Sequence, residues 1–359
     1  MGYTKKKNKK RINRKIQKGG NRFKKTRNIQ LRRHFIIKNH NQNSKLKTNS
    51  TTRSGEQCSP DRDHCFTCFS KQNLIKIANQ WNLNHNYDDQ IIIKNNSKLG
   101  LWKQIDKKLK SKCSNEFCWI RQPFLKKSVK QVGSGMTNNI HPQNINYKSN
   151  IANEAFRTPL PVSWLKNPSE WLSTTDIRKV MKQYERKYND FLFIGPVPLD
   201  FASKDEYDMG KCITQELCNI DINKWINKNK TKIGIVFNLD PHDMPGSHWV
   251  GLYCCLSTGQ VCYYDSFGAN AEYEIKELIK TLKSQIQEKL LIKPIIYENT
   301  LRHQYSTTEC GVYSMYFIHK MLEGVSYNNF IKYKLNDKQI NRYRYYFYNT
   351  FIHEDNDKK

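Results

Sequence analysis

Acidic residues are missing from the front of this 359-residue chain. From Met1 to Arg53 there are 19 Lys and Arg and no Asp or Glu. The whole chain carries a formal net charge of +29, so 29 less 19 leaves +10 for the other 306 residues. The excess charge is therefore concentrated in a tail, and the body is only moderately basic. With so little apolar content, residues 1–55 are expected to be a disordered basic tail. Such a tail suits a polyanion, most plausibly nucleic acid, or serves as a solubilising and localising arm. Long apolar runs are missing too. No stretch approaches the ~20 apolar residues of a membrane-spanning helix, so no membrane span is expected. The first residues have no apolar signal core, so secretion is not expected. Internal repeats and a regular βαβ alternation are absent, which points to an α+β fold.

A metal pattern is also missing. Cys65-x2-Cys68 has ligand-like spacing, but Cys113-x4-Cys118 is looser, and with Cys58 these make no four-ligand set. The expectation is no metal and no cofactor, with these cysteines as buried thiols packing a helical segment. Cys254, Cys255 and Cys262 lie in apolar, strand-like runs and read as buried thiols in a reducing compartment.

What is present divides into parts. Residues 56–125 form a candidate small helical accessory domain. Ser70 caps a helix there whose apolar positions Leu74, Ile77, Ala78 and Trp81 share one face. A second helix places Leu101, Trp102, Ile105 and Leu109 together. Residues 126–150, rich in Gly, Ser and Asn from Gln131 to Tyr147, read as a linker. Residues 151–359 form the larger domain. A helix after Trp171, strands at Ile233–Leu239, His248–Leu256, Gln260–Tyr264 and Leu291–Tyr297, and helices at Tyr273–Lys289 and Glu309–Met321 are expected. Ser257-Thr258-Gly259 makes a hairpin turn. The Tyr-rich, basic Lys332–Phe351 segment is expected to be a closing helix.

One set of residues carries chemistry. Cys310 sits where a small polar run ends and an apolar helix begins. A free thiol titrates near ~8.5, so a thiol nucleophile needs activation. A helix N-terminus favours the anion, and a histidine can store the proton. His248 and Asp265 fall on the two strands of the hairpin, where the carboxylate can orient the imidazole. Gln304, six residues before Cys310, offers a side-chain amide to a developing oxyanion beside the Cys310 backbone N–H. Gly311 leaves room for a substrate backbone. Taken singly, Cys310 reads as a core thiol, His248 as a strand histidine and Asp265 as a turn former; the combination points to thiol-dependent acyl hydrolysis. Asp240–Gly246, with His242 and Asp243, reads as a flanking loop, and His303 as exposed.

His248-Trp249, Asp265, Gln304 and Cys310-Gly311 together resemble the Ulp1/SENP and adenovirus-protease clan of cysteine peptidases. The 17-residue step from His to Asp, the six-residue step from Gln to Cys and acidic Glu309 before the nucleophile all fit. The resemblance covers Ile233 to Gly324. It implies an Ulp1/adenain-like cysteine protease domain with Cys310 as nucleophile, His248 as base, Asp265 as orienter and Gln304 as oxyanion donor. Trp249 would line a channel for a narrow, Gly-rich substrate. A basic front, a small Cys-bearing domain and a carboxy-terminal catalytic domain also resemble large-DNA-virus thiol proteases of the mimivirus and African swine fever virus type. The swine fever type has Asn where this chain has Asp265, which favours a mimivirus-type or cellular-like relative. That group implies virion precursors as protein substrates, cleavage after Gly-Gly or similar small-residue sites, and a place in the virion and the host cytoplasm. It leaves a deSUMOylase or deubiquitinase as the alternative, an acyltransferase or a decayed, packaging-only protein as more distant ones, and Gly19-Gly20 as a self-processing candidate.

Overall fold

Ser70 and Ser97 begin the described helices for the same reason. Each hydroxyl accepts a hydrogen bond from a backbone N–H three residues on, Asn73 and Gly100, both at 3.0 Å. The helices they start are α1 (Lys71–Asn84) and α2 (Lys98–Leu109), which bury the apolar faces expected of them. The computed structural model describes residues 58–62, 65–125, 147–205 and 210–349. The basic tail, Gly19-Gly20 and most of the linker segment lie outside the described residues.

α3 (Glu116–Ile120) and α4 (Tyr147–Ala155) complete the helical region. Its core joins Phe69, Leu74, Trp119, Ile120, Ile151 and Phe156. Glu116 is buried among them, and burial raises its pKa against the lowering effect of hydrogen bonds from Thr67, Cys68 and Trp102. Its carboxylate accepts from the Cys68 N–H at 2.9 Å and from the Trp102 indole at 2.5 Å. The expectation of free thiols here is corrected. Cys58 is disulfide-bonded to Cys68 and Cys113 to Cys118, with a third bond between Cys212 and Cys218. The loop of Cys65 to Phe69 folds back on Glu116 and so brings Cys68 against Cys58. Cys65 is an exposed free thiol, and Cys254, Cys255 and Cys262 are buried free thiols.

The larger region follows β1 (Thr158–Pro159) and α5 (Thr174–Lys187), whose first turn is closed by a Ser173–Asp176 capping box. Its sheet comprises β2 (Phe191–Val197), β3 (Lys232–Asn238), β4 (Trp249–Cys255), β5 (Gln260–Tyr264) and β6 (Ile295–Glu298), in that spatial order. β2–β3 and β5–β6 are parallel pairs, while β3–β4 and β4–β5 are antiparallel. Between β4 and β5, Gly259 takes φ +70°, the left-handed region a side chain resists. α6 (Ile222–Ile226) and α7 (Tyr273–Leu290) cover one face of the sheet, over Ile235, Leu252, Cys254 and Tyr263. α5 and α8 (Cys310–Leu322) cover the other, over Phe193, Tyr253, Cys262 and Tyr264. Strand alternation produces this division: odd positions of β4 face one core and even positions the other.

All 13 residues of α8 are buried, which suits a helix apolar on every side. It lies close to the sheet because Gly251 has no side chain there; a Cβ at that position would stand 3.0 Å from the Phe317 ring. After α8 come α9 (Tyr327–Lys332), α10 (Asp337–Asn341), α11 (Arg344–Phe347) and β7 (Tyr348–Asn349), which pairs parallel with β1. The single closing helix expected over Lys332–Phe351 is therefore replaced by short helices and a strand. The helix stops at Phe347 because Tyr348 turns extended, which lets Tyr348 and Asn349 pair with Thr158 and Pro159 of β1.

Candidate active site

The antiparallel pairing of β4 and β5 places the start of one strand beside the end of the other. His248 immediately precedes β4 and Asp265 immediately follows β5, so both stand at one edge of the sheet. Cys310, the first residue of α8, arrives at the same edge. Ser314 fixes it there: its hydroxyl lies 3.1 Å from the Trp249 carbonyl and 3.0 Å from the Cys310 carbonyl, joining the first turn of α8 to β4.

His248 Nε2 is 2.6 Å from the Asp265 carboxylate, and the ring also hydrogen-bonds Cys310. Burial opposes charge on the imidazole. The hydrogen bonds to Asp265 and Cys310, with their charges, outweigh it and push the pKa up to about 9. The site is thus built to hold an imidazolium at neutral pH, the partner a thiolate requires. Phe267 stacks on the imidazole, centroids 4.5 Å apart and planes 15° apart, and limits its rotation.

Asp265 is 1 % exposed. Oδ1, the oxygen that faces His248, also accepts from the Phe267 N–H at 2.9 Å, and Oδ2 accepts from the Ala269 N–H at 3.1 Å. Its backbone is held by one side chain. Asn299 Oδ1 accepts from the Asp265 N–H at 2.9 Å, while Asn299 Nδ2 donates to the Asp265 carbonyl at 2.7 Å. Asn299 and Phe267 were not foreseen from the sequence; Phe267 adjoins the Asp265 turn, whereas nothing in the spacing singles out an Asn 34 residues on.

Gln304 is fully buried. Its carbonyl accepts from the Ser266 hydroxyl at 2.6 Å, and its Nε2 donates to the Ser306 carbonyl at 2.8 Å. These fix the plane of the amide and leave its second N–H uncommitted among the described residues. Trp249 is largely buried, its indole donating to the Leu172 carbonyl at 3.1 Å. Gly311 lies against the same pair: a Cβ there would stand 3.1 Å from Leu172 and 3.2 Å from Trp249. The absence of a side chain at Gly311 thus lets the nucleophile's helix seat against Trp249 and Leu172.

His303 corrects an expectation of exposure. It is 2 % exposed, and its Nδ1 is 2.9 Å from the Tyr264 hydroxyl. Burial, with Lys334 nearby, lowers its pKa to about 4, so the ring is neutral. His242 pairs instead with Asp200 at 2.6 Å in the exposed loop before β4, away from a role as base to Cys310.

A buried thiol at a helix start, a charged imidazole and a fixed carboxylate make a cysteine hydrolase site, and the likeness to known proteins specifies which. The chain is 31% identical over 307 residues to a putative thiol protease of Acanthamoeba polyphaga mimivirus, covering 80% of this chain and 91% of that protein. Residues 203–356 match the C-terminal catalytic domain of the Ulp1 protease family. The chain belongs to the Ulp1 family of cysteine proteases. A cysteine protease of African swine fever virus is 24% identical over 238 residues, 65% of this chain and 81% of that one. The crystal structure of that virus's protease superposes with a TM-score of 0.56 at 20% identity, over 83% of this chain and 97% of that one. The Ulp1-family fold therefore comes here with an N-terminal helical region, and the enzyme is a thiol protease acting on protein substrates. Among the described residues no helix is long and apolar enough to cross a membrane.

Proposed function

We propose that this Ulp1-family protease is a viral endopeptidase that cleaves virion structural or core precursors, after Gly-Gly or similar small-residue sites. The observation that carries the reading is the His248–Asp265 pair beside Cys310 in a chain whose relatives are viral thiol proteases. In this reading Cys310 Sγ attacks the scissile carbonyl, and the oxyanion is received by the Cys310 N–H and the uncommitted N–H of Gln304. His248 gives its proton to the leaving amine, which departs and leaves a thioester. It then takes a proton from water, whose oxygen attacks the thioester and frees the acid and the thiolate. Asp265 holds the ring and stabilises its charge throughout. In this reading Trp249 and Gly311, which pack against each other beside Cys310, would border a narrow approach that favours substrates with small residues at the cut.

The same reading places the enzyme in the virion and the host cytoplasm where virions assemble. The basic tail would hold it on packaged nucleic acid by phosphate contacts, which weaken steeply with salt. A second substrate reading is favoured by one observation: relatives from other African swine fever virus isolates, 24% identical, are named SUMO-1 cysteine proteases. Co-expression with candidate virion precursors separates the two. Cleavage by wild type, absent with Cys310→Ala, supports the endopeptidase. Turnover confined to SUMO or ubiquitin conjugates in a fluorogenic panel supports the isopeptidase and overturns it.

A further inference from the structure

The residue before the nucleophile is held by a charge that comes from the far end of the chain. Glu309, 3 % exposed, takes the N-cap position of α8. Its Oε2 is 3.1 Å from Arg344 Nε, and its Oε1 accepts from Asn341 Nδ2 at 2.8 Å. Arg344 is fully buried in α11. It also donates through Nη2 to the Thr308 carbonyl at 3.2 Å and lies over the Trp164 ring at 4.5 Å. The C-terminal helices thus grip both residues that lead into Cys310.

A carboxylate adjoining a thiol opposes the thiolate, because like charges disfavour each other's ionised form. A buried carboxylate left without a partner is also costly. Arg344 removes both problems: it cancels the Glu309 charge and supplies a rigid, forked donor set that fixes the approach to α8. The other titratable groups around the first turns of α8 include His248 and Asp265 from the sheet edge, Tyr313 and Tyr316 on α8 itself, Tyr343 with its ring 4.5 Å from that of Tyr316, and Asp337 from α10. Asp337 accepts from the Tyr313 hydroxyl at 3.2 Å and the Ser306 N–H at 2.9 Å. α5 turns apolar Ile177, Val180 and Met181 into the same core.

We infer that Arg344 is a positioning residue for Cys310, acting through Glu309 to keep the thiolate unopposed and the start of α8 in place. The inference rests on Cys310 being the nucleophile. Its test is the pH dependence of iodoacetamide labelling, mapped residue by residue by mass spectrometry on the full chain. Preferential labelling of Cys310 in the wild type tests the nucleophile by itself; its absence removes that reading. Given it, Arg344→Met should raise the labelling midpoint by roughly one pH unit, and Glu309→Gln should lower it. The Glu309→Gln/Arg344→Met pair should return it close to the wild-type value. Arg344→Lys, which keeps the charge and loses the fork, should hold the midpoint and lower kcat against whichever precursor or fluorogenic substrate is cleaved. A purely structural role predicts unfolding without opposite shifts. Single variants that shift together, or not at all, while the urea midpoint is kept, overturn the proposal. Should Arg344→Met fail to fold, a Glu309→Gln midpoint that does not fall overturns it alone.

Discussion

At the scale of single residues, the site is governed by what surrounds His248. Its pKa of about 9 lies above the ordinary histidine value, so the folded protein binds the proton more tightly than the unfolded chain. The resulting stability is complete below about pH 6.5 and is lost as pH rises through about 9. Cys310→Ala removes one hydrogen bond and one charge that hold the proton, so the His248 titration should move down toward the ordinary value. NMR titration of the imidazole reads this directly, and an unmoved curve would place Cys310 away from the ring. Asp265→Asn keeps the shape but loses the charge and disturbs the tautomer, and a fall in kcat of about 10³–10⁴ is expected. A loss under tenfold would deny Asp265 its orienting part. The candidates His248, Asp265 and Cys310 were readable from the sequence because each stands at the end of an element, where polar residues and glycine mark the boundary, whereas Gln304 lies within the loop before α8 and was picked out by its six-residue step to Cys310. Asn299 was not readable, since its role depends on a backbone contact made only when β6 lies beside β5.

Elements show the same boundary between local and distant causes. The expected α1, α2 and α5 appear because a 3.6-residue apolar period and a serine cap are local signals; α7 shows the period without a serine cap, and α8 is legible as a continuous apolar run. β4 and β5 appear as short apolar runs with β-branched and aromatic residues around a tight turn, buried on both faces. β2 was not expected: Phe191–Val197 contains Gly195-Pro196 and has no hairpin partner in sequence, pairing instead with β3 some 40 residues on. The C-terminal segment was misjudged because its helical period is local, while the destinations of Arg344 at Glu309 and β7 at β1 are not. Asn299→Ala probes the join between β5 and the loop after β6. It leaves the Asp265 N–H buried without its partner, at a cost of about 1–3 kcal/mol, while the Asp265 carbonyl keeps its bond from the Gly268 N–H. Urea unfolding should show that loss, with a further drop in kcat as Asp265 drifts from His248. Full activity in a folded Asn299→Ala protein would show that the turn holds Asp265 unaided.

Across the whole molecule, Arg157 and Arg186 join the helical region to the catalytic one; Arg186 Nη2 donates to the Ser59 hydroxyl at 3.2 Å and to the Asn153 carbonyl at 3.1 Å. Arg157 Nε donates to the Cys58 carbonyl at 3.1 Å, and Nη1 donates to the Tyr346 carbonyl. Its guanidinium lies 4.7 Å from the Tyr346 ring centre, and its own carbonyl accepts from Asn349. Gln183 adds a bond to the Phe156 carbonyl at 2.9 Å. Tyr346 stands two residues beyond Arg344, so the contact that seats the helical region also steadies the segment that grips Glu309. Arg157→Ala removes the hydrogen bonds to the Cys58 and Tyr346 carbonyls and the ring contact, while each hydrophobic core keeps its own packing. Unfolding should then lose its single transition: hydrogen exchange of the α1 and α2 amides should rise at lower urea than loss of protease activity. The wild type should show the two together. Coincident transitions in the Arg157→Ala protein would mean that the two cores are held as one by other contacts, and that the helical region steadies the catalytic site without this residue.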